Sequence, residues 1–361
     1  MSLATSIAPD RADALDGAPR AVAVWLFACC ALVLAMVVVG GITRLTHSGL
    51  SITEWQPIVG TLPPLSAADW TDAFARYQAT PEYQQVNAGM SLAAFKSIFW
   101  WEYAHRLLGR AIGVVFAIPL LWFIARRKLP TGLAPALFGI FMLGAAQGAL
   151  GWYMVLSGLV DDPHVSQLRL AAHLGLALLI FAAMLWLGLS LWFGRSSGAP
   201  RTSALRRFAF VIVALVFVQA LAGALVAGLR AGFAYNTFPL MSGRVVPPEA
   251  WAIDPWYRNL FENVAAVQFD HRAIALLLAL LTPVFWWRAQ AADERPRIRL
   301  AAHLLLAALA VQLALGIATL LLVVPIPLAA AHQAGAVLLF AAALNAAHAM
   351  RRSGSARRAS A

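Results

Sequence analysis

Cysteine is nearly missing from this 361-residue chain: only Cys29 and Cys30 occur, side by side in one apolar run. Neighbouring thiols inside a hydrophobic segment cannot staple exposed loops, so a disulfide framework is excluded, and both read as small packing residues. Charge is scarce too, at 12% Asp, Glu, Lys and Arg. Long stretches without an ionisable group exclude an ordinary water-soluble domain. Short histidine or cysteine spacings of the kind zinc sites use are also missing, which argues against a bare zinc centre.

What is present in quantity is apolar side chain, 61% of residues. A bilayer core needs about 20 apolar residues per helix. By that measure the chain predicts an all-α polytopic membrane protein with eight spans, at roughly 21–43, 98–125, 133–158, 167–193, 207–229, 264–287, 300–323 and 328–350.

The net charge of +11 could suggest nucleic acid, but its distribution argues otherwise. Arg126, Arg127 and Lys128 follow span two; Arg195, Arg201, Arg206 and Arg207 follow span four; Arg288, Arg295, Arg297 and Arg299 follow span six; Arg351, Arg352, Arg357 and Arg358 close the chain. Basic residues in short alternate connections mark the cytoplasmic side. Both termini are therefore expected inside, and the long connections, about 44–97 and 230–263, outside. Asp10, Asp13 and Asp16 near the start are unlike a mitochondrial presequence, and span one is too long for a secretory signal, so it reads as a retained anchor. Of 27 basic residues only Lys96 and Lys128 are lysine, leaving 25 arginines (27 − 2), a bias that fits a GC-rich bacterial genome and hence a bacterial inner membrane.

Four histidines carry the chemistry. His105, His173, His271 and His332 each fall near the outer start of an even-numbered span, roughly 6–12 Å deep at 1.5 Å per residue. Imidazoles at one depth, one per helix, are how a helical bundle grips haem iron from both sides. Facing nitrogens must then lie about 4 Å apart, twice a metal–nitrogen bond of about 2 Å. A lone intramembrane histidine often only satisfies a neighbour or relays protons. Four at matching depth point to two iron sites. His47, His164, His303 and His348 fit no pair and read as surface or interfacial residues.

The histidines also expose a repeat. His105 and His271 are 166 positions apart (271 − 105), and His173 and His332 are 159 apart (332 − 173). Glu102-Tyr-Ala-His105-Arg106 matches Gln268-Phe-Asp-His271-Arg272, and Gln147-Gly-Ala-Leu-Gly151 matches Gln312-Leu-Ala-Leu-Gly316. Two four-helix bundles are expected, residues 1–200 and 201–361, related by an axis along the membrane normal. Glu102 lies on the helical face of His105, whereas its counterpart Gln268 cannot ionise, so the two sites differ in proton chemistry. An acid there could instead rest in the wet interface. Arg106 and Arg272 could hold haem propionates with bidentate hydrogen bonds or simply snorkel, and Asp270 reads as a loop or Arg272 contact.

Taken with Thr43-Arg-Leu-Thr-His-Ser-Gly-Leu-Ser51, Glu54-Trp-Gln-Pro57, Leu168-Arg-Leu-Ala-Ala-His173, Tyr235-Asn-Thr-Phe-Pro-Leu-Met241 and Ala331-His-Gln333, these segments make the chain resemble the haem A synthase family of alphaproteobacteria and mitochondria. The likeness covers Gly40 to about His332. It implies oxidation of the C8 methyl of haem O to the formyl of haem A for a terminal oxidase, and the expected course is two successive two-electron oxidations, to a hydroxymethyl and then to a geminal diol that loses water. It also implies a resident haem b on His271 and His332, substrate haem between His105 and His173, catalysis by Glu102, and delivery of haem O by haem O synthase. Some relatives carry cysteine pairs in their outer loops; this chain has none there, so an outer-loop disulfide has no part in its activity. The sequence leaves the electron acceptor unassigned and is compatible with a homo-oligomer. A di-haem b electron-transfer cytochrome without haem-modifying activity is the alternative, although such proteins usually set their haems toward opposite membrane faces. A transporter would explain the repeat, but the spans lack paired acids or broken helices.

Two tryptophan- and proline-bearing outer segments, with Trp55, Pro63, Pro64 and Trp70 in the first and Pro247, Pro248, Trp251 and Trp256 in the second, are expected to form ordered caps over the two haem pockets.

Overall fold

In a computed structural model, residues 18–56, 59–160, 162–194, 203–292 and 295–351 are described. Asp10, Asp13 and Asp16, Arg195 and Arg201, and the terminal Arg352, Arg357 and Arg358 lie outside them, as does Pro57. Eight helices are long and apolar enough to cross a membrane: α1 (Ala18–Leu45), α2 (Leu92–Ala125), α3 (Leu133–Leu156), α4 (Gln167–Phe193), α5 (Ser203–Gly228), α6 (Val264–Ala292), α7 (Pro296–Leu321) and α8 (Ile326–Ala349). The described residues hold no strand beyond an isolated bridge between Met241 and Arg244. The chain is an all-α multi-pass membrane protein.

Lipid, rather than a second protein layer, completes the burial of these helices. Ile118, Leu121, Leu276, Leu280, Leu300 and Val311 project outward and are more than half exposed, a surface water would not tolerate over such an area. Pro119 in α2 and Pro283 in α6 sit inside helices, which membrane spans accept because neighbouring groups satisfy the freed backbone.

The packing order repeats. In the first half α1 touches α2 and α4, and α3 bridges α2 and α4; in the second, α5 touches α6 and α8, and α7 bridges α6 and α8. The halves meet where α4 lies on α5 and where α8 lies on α1 and α4. Apolar residues such as Leu26, Phe181, Ile212 and Phe340 fill that seam. Polar ties cross it too, among them Arg44 Nη1 donating to the Ala227 carbonyl at 2.7 Å and Gln333 Nε2 donating to the Val37 carbonyl at 3.0 Å.

Helix α2 starts about six residues before the hydropathy pattern suggests. Its 34 residues span about 51 Å at 1.5 Å each, well beyond a core of about 30 Å, so its first turns stand clear of the bilayer. The reason is aromatic: Phe95 and Phe99 pack against Trp70 and Tyr77 of the loop helix Ala67–Gln78. That loop helix is started by a capping box in which Ser66 and Asp69 satisfy one another's backbone N–H groups. Between α5 and α6 the second long connection is built of short 3-10 turns at Ala231–Phe233, Pro248–Trp251 and Trp256–Arg258 and a single helical turn at Asn259–Glu262, so the two long connections differ in build.

Within the first cap Glu82 is buried, accepting from the Tyr77 hydroxyl at 3.2 Å, while Asn87 donates to that hydroxyl at 2.7 Å. Burial pushes the Glu82 carboxyl up to about 7, with the nearby Glu102 adding to the rise. A carboxyl whose folded value is raised favours folding below its ordinary value of 4.5 and loses that contribution as pH climbs through about 7. Limited proteolysis of the first outer segment should therefore be slower at pH 5 than at pH 8. Glu82→Gln should flatten the difference; an unchanged difference would place the titration elsewhere.

At the other end of the bundle His348 is fully buried rather than surface-lying. Arg297 Nη2 meets its Nδ1 at 2.7 Å, Ser190 Oγ its Nε2 at 3.1 Å, and Trp186 stands edge-on at 5.0 Å. Flanking Ala346, Ala347 and Ala349 let the neighbouring helices close over it. His47, His164 and His303 are exposed, as their isolation suggests.

Candidate functional site: paired imidazoles beside two interhelical loop segments

The four histidines occupy equivalent stations. His173, His271 and His332 lie about two turns into α4, α6 and α8. His105 lies about two turns further into α2 because that helix begins outside the bilayer. In the second half the imidazoles of His271 and His332 face one another, with ring centroids 6.5 Å apart and planes at 83°. A centroid separation of 6.5 Å is about what two imidazoles need to share one ion through metal–nitrogen bonds of about 2 Å. No ring contact at that range joins His105 to His173 among the described residues. Buried Nδ1 atoms of His105, His271 and His332 have no hydrogen-bond partner. Among the described residues no three His, Cys, Asp or Glu side chains converge as a bare ion would need.

Each ring is seated on a glycine of the preceding odd-numbered helix. A Cβ built on Gly40, Gly151, Gly223 or Gly316 would stand 2.7, 2.9, 3.2 or 2.8 Å from Cε1 of His105, His173, His271 or His332 respectively. Only a hydrogen fits there. Gly316→Ala should push the His332 ring aside, costing about 1–3 kcal/mol as an overpacked site, and should lower the thermal midpoint of the purified protein. Gly148→Ala, with nothing within 4 Å of the added carbon, is the control; equal midpoints would refute the seat.

Glu102 is buried, not interfacial. Its Oε2 accepts from Ser51 Oγ at 2.8 Å and Ile52 N at 2.7 Å, and its Oε1 accepts from Arg106 Nε at 3.0 Å and Nη2 at 2.6 Å. Four donors, one pair from a guanidinium, offset the cost of burying the charge. Arg106 continues into the first cap, donating to the carbonyls of Ile52 at 2.7 Å and Glu54 at 2.9 Å. The second half repeats this with an amide: Gln268 Nε2 donates to the Ala231 carbonyl at 2.8 Å, and its Oε1 accepts from Arg272 Nη2 at 3.0 Å. Arg272 goes on to the carbonyls of Tyr235 at 2.6 Å and Thr237 at 2.8 Å. Its hydrogen bonds go to Gln268 and to the loop carbonyls rather than to Asp270, so of the two contacts expected for Asp270 the one with Arg272 is not formed. Each cap is thus tied to the helix turn beside the histidine it overlies. Trp55 of the first cap stacks on Trp152, next to Gly151, at 6.0 Å.

Three glutamines, one turn below three of the glycines, escaped functional assignment from sequence. Gln147 Nε2 donates to the His173 carbonyl at 2.9 Å and lies 3.1 Å from its Nδ1; Gln312 Nε2 donates to the His332 carbonyl at 3.0 Å; Gln219 Nε2 lies 3.3 Å from His271 Nε2. The matching Gln-x-x-x-Gly spacing in spans three and seven was the available signal, and span five carries it as well.

The chain is 58% identical over 351 residues to "Heme A synthase" of Nitrosospira multiformis, covering 96% of this chain and 98% of the relative. It is 55% identical to "Heme A synthase" of Nitrosomonas eutropha, covering 90% and 92%, and 50% identical to that of Rhodospirillum centenum, covering 94% and 90%. A family profile described as cytochrome oxidase assembly protein matches residues 23–344, all eight spanning helices lying wholly or largely within it. With paired imidazoles in the second half and a like pair of histidine helices in the first, the chain belongs to that cytochrome oxidase assembly family.

Proposed function

We propose that this protein is a haem A synthase, an oxidoreductase that converts the C8 methyl of haem O to the formyl of haem A for cytochrome oxidase. The imidazoles of His271 and His332, with ring centroids 6.5 Å apart, carry the reading, because two imidazoles from different helices at that spacing suit an iron porphyrin held between them. Relatives bearing that name over nearly the whole chain support it.

His271 and His332 hold a resident haem b, and His105 with His173 receives the substrate haem O. The resident haem, when bound, supplies a one-electron carrier. Glu102 takes or returns a proton near the substrate methyl, and to do so it exchanges one of its four donors, the Ser51 hydroxyl having the Ser48 carbonyl as a second acceptor. Arg106 and Arg272 fasten the caps and meet haem propionates with the N–H groups left over, the partnerless Nε of Arg272 among them. Residues 1–200 form the substrate half and 201–361 the cofactor half. The basic connections lie on the cytoplasmic side of a bacterial inner membrane with both termini, and the caps and haem sites face the periplasm. A substrate with a farnesyl tail enters between helices from lipid, handed over by haem O synthase.

Pigment extraction from protein purified after co-expression with a haem O source tests this. Haem b together with haem A or haem O is the expected result. Haem b alone would favour an electron-transfer cytochrome, and no pigment would refute the reading.

A further inference from the structure

At the end of the bundle opposite the four histidines, an open groove of about 610 Å³ is lined by Arg206, Arg207, Phe210, Val211 and Ala214 of α5 and by Arg351, just past the end of α8. None of these residues belongs to the proposed haem sites. Arg206 and Arg207 lie in the first two turns of α5, whereas Phe210 and Ala214 follow one and two turns further in, about 6 and 12 Å deeper at 1.5 Å per residue. Charge gives way to carbon as the groove descends.

Arg351 is held in place: its Nη1 donates to Ser190 Oγ at 2.9 Å and its Nη2 to the Gly194 carbonyl, both at the end of α4. A guanidinium has five N–H groups, so others remain for a ligand. This fixes one cation over the seam where α4, α5 and α8 meet. Among the described residues no carboxylate lines the groove and none pairs with Arg206, Arg207 or Arg351, whereas Arg106 and Arg258 at the other end each have a glutamate. Three cations in one groove without a counterion repel one another until an anion joins them. Phe210 and Val211 are about half exposed, so the occupant must cover carbon as well as neutralise charge. Free phosphate does only the second. An acidic peptide brings carboxylates, but following the groove inward would carry its backbone polar groups into hydrocarbon unpaired.

We propose that this groove binds an anionic phospholipid of the leaflet that the basic end faces, its phosphodiester held by Arg206, Arg207 and Arg351 and its acyl chains lying along Phe210, Val211 and Ala214. Arginine suits that headgroup because its planar fork meets two phosphate oxygens at once. Basic pockets between spanning helices are where such headgroups lodge. Two of the cations come from α5 and the third is anchored on α4, so the bound lipid braces the two halves of the bundle.

The test uses the full chain with its pigments in discs of dioleoyl phosphatidylcholine carrying a small fraction of dioleoyl phosphatidylglycerol, with bound lipid counted by native mass spectrometry and thermal midpoints measured alongside. Wild-type protein should retain phosphatidylglycerol over phosphatidylcholine and melt higher as its fraction rises. Arg206→Gln with Arg207→Gln should weaken that retention about 25-fold, the two guanidiniums being worth about 5-fold each near an anionic surface, and should abolish the rise in midpoint. Arg126→Gln with Arg127→Gln, which removes as much charge from the same end but outside the groove, should change neither. Equal retention of the two lipids by wild-type protein would overturn the site. Equal losses in both double variants would also overturn it, by reducing the effect to general surface charge. Displacement of the lipid by millimolar inorganic phosphate would mark a free-anion site, and displacement by poly-glutamate a protein-binding one; either contradicts a lipid.

Discussion

Replacing Glu102 with glutamine is expected to reduce haem A formation by about 10²–10⁴-fold, the usual contribution of a positioned acid or base, while leaving the second-half haem in place. The substitution is informative because the second half already carries an amide at the equivalent station: Gln268 accepts from Arg272 and reaches the cap backbone. A glutamine at 102 keeps one acceptor oxygen for Arg106 and turns its amide N–H toward the Ser51 hydroxyl, which can accept it, so the Arg106 tie to the cap survives while the Ile52 N–H loses its acceptor. The loss is that bond, the charge-assisted part of the others, about 1.5–3 kcal/mol, and the proton. Glu102→Ala should also stop haem A formation with the second-half haem retained, but it strips Arg106 and the Ile52 N–H of their acceptor and frees the first cap, so it confounds structure with chemistry. The measurement is the ratio of haem A to haem O in extracted pigment. A wild-type ratio in Glu102→Gln would remove the carboxylate from the reaction.

Loss of either second-half ligand should be as large and of a different kind. His271→Ala or His332→Ala leaves one imidazole where two face each other at 6.5 Å. Since disturbing a partner one shell out already costs 10–100-fold in metal affinity, removing the ligand itself should cost more than about 100-fold, so purified variants should lose the haem b spectrum. His105→Ala should keep that spectrum and lose haem O and haem A instead. Retention of full haem b absorbance in both second-half variants would show that the resident haem sits elsewhere.

Much of this was legible before any coordinates. Eight apolar runs, four histidines at equivalent stations and the matched segments around Glu102 and Gln268 are local or periodic signals, and hydropathy registers them directly. What stayed hidden was what long-range closure decides. Beside Arg106 on its own helix, the partners of Glu102 are Ser51 and Ile52, some fifty residues away in a long connection, so a buried acid could be mistaken for an interfacial one. Likewise the early start of α2 depends on Phe95 and Phe99 meeting a loop helix, and the burial of His348 depends on Arg297 and Ser190 arriving from two other helices. The glycine seats were visible as letters, yet their meaning needed the neighbouring ring.

Stability and function are joined in this arrangement. The arginine that fastens each cap follows directly on a proposed haem ligand, and the glycine that lets each ring in also lets the paired helices approach. Small changes at Gly316 and at His332 should therefore act on pigment and on melting together, whereas changes at Glu82 should act on the cap alone.

The most direct test of the central claim, that one iron is clasped by His271 and His332, is low-temperature electron paramagnetic resonance of the oxidised, purified wild-type protein. Two imidazoles with planes near perpendicular, at 83°, are expected to give low-spin ferric iron with a strongly anisotropic signal that disappears in His271→Ala. A high-spin signal alone, or a low-spin signal unchanged in that variant, would contradict it.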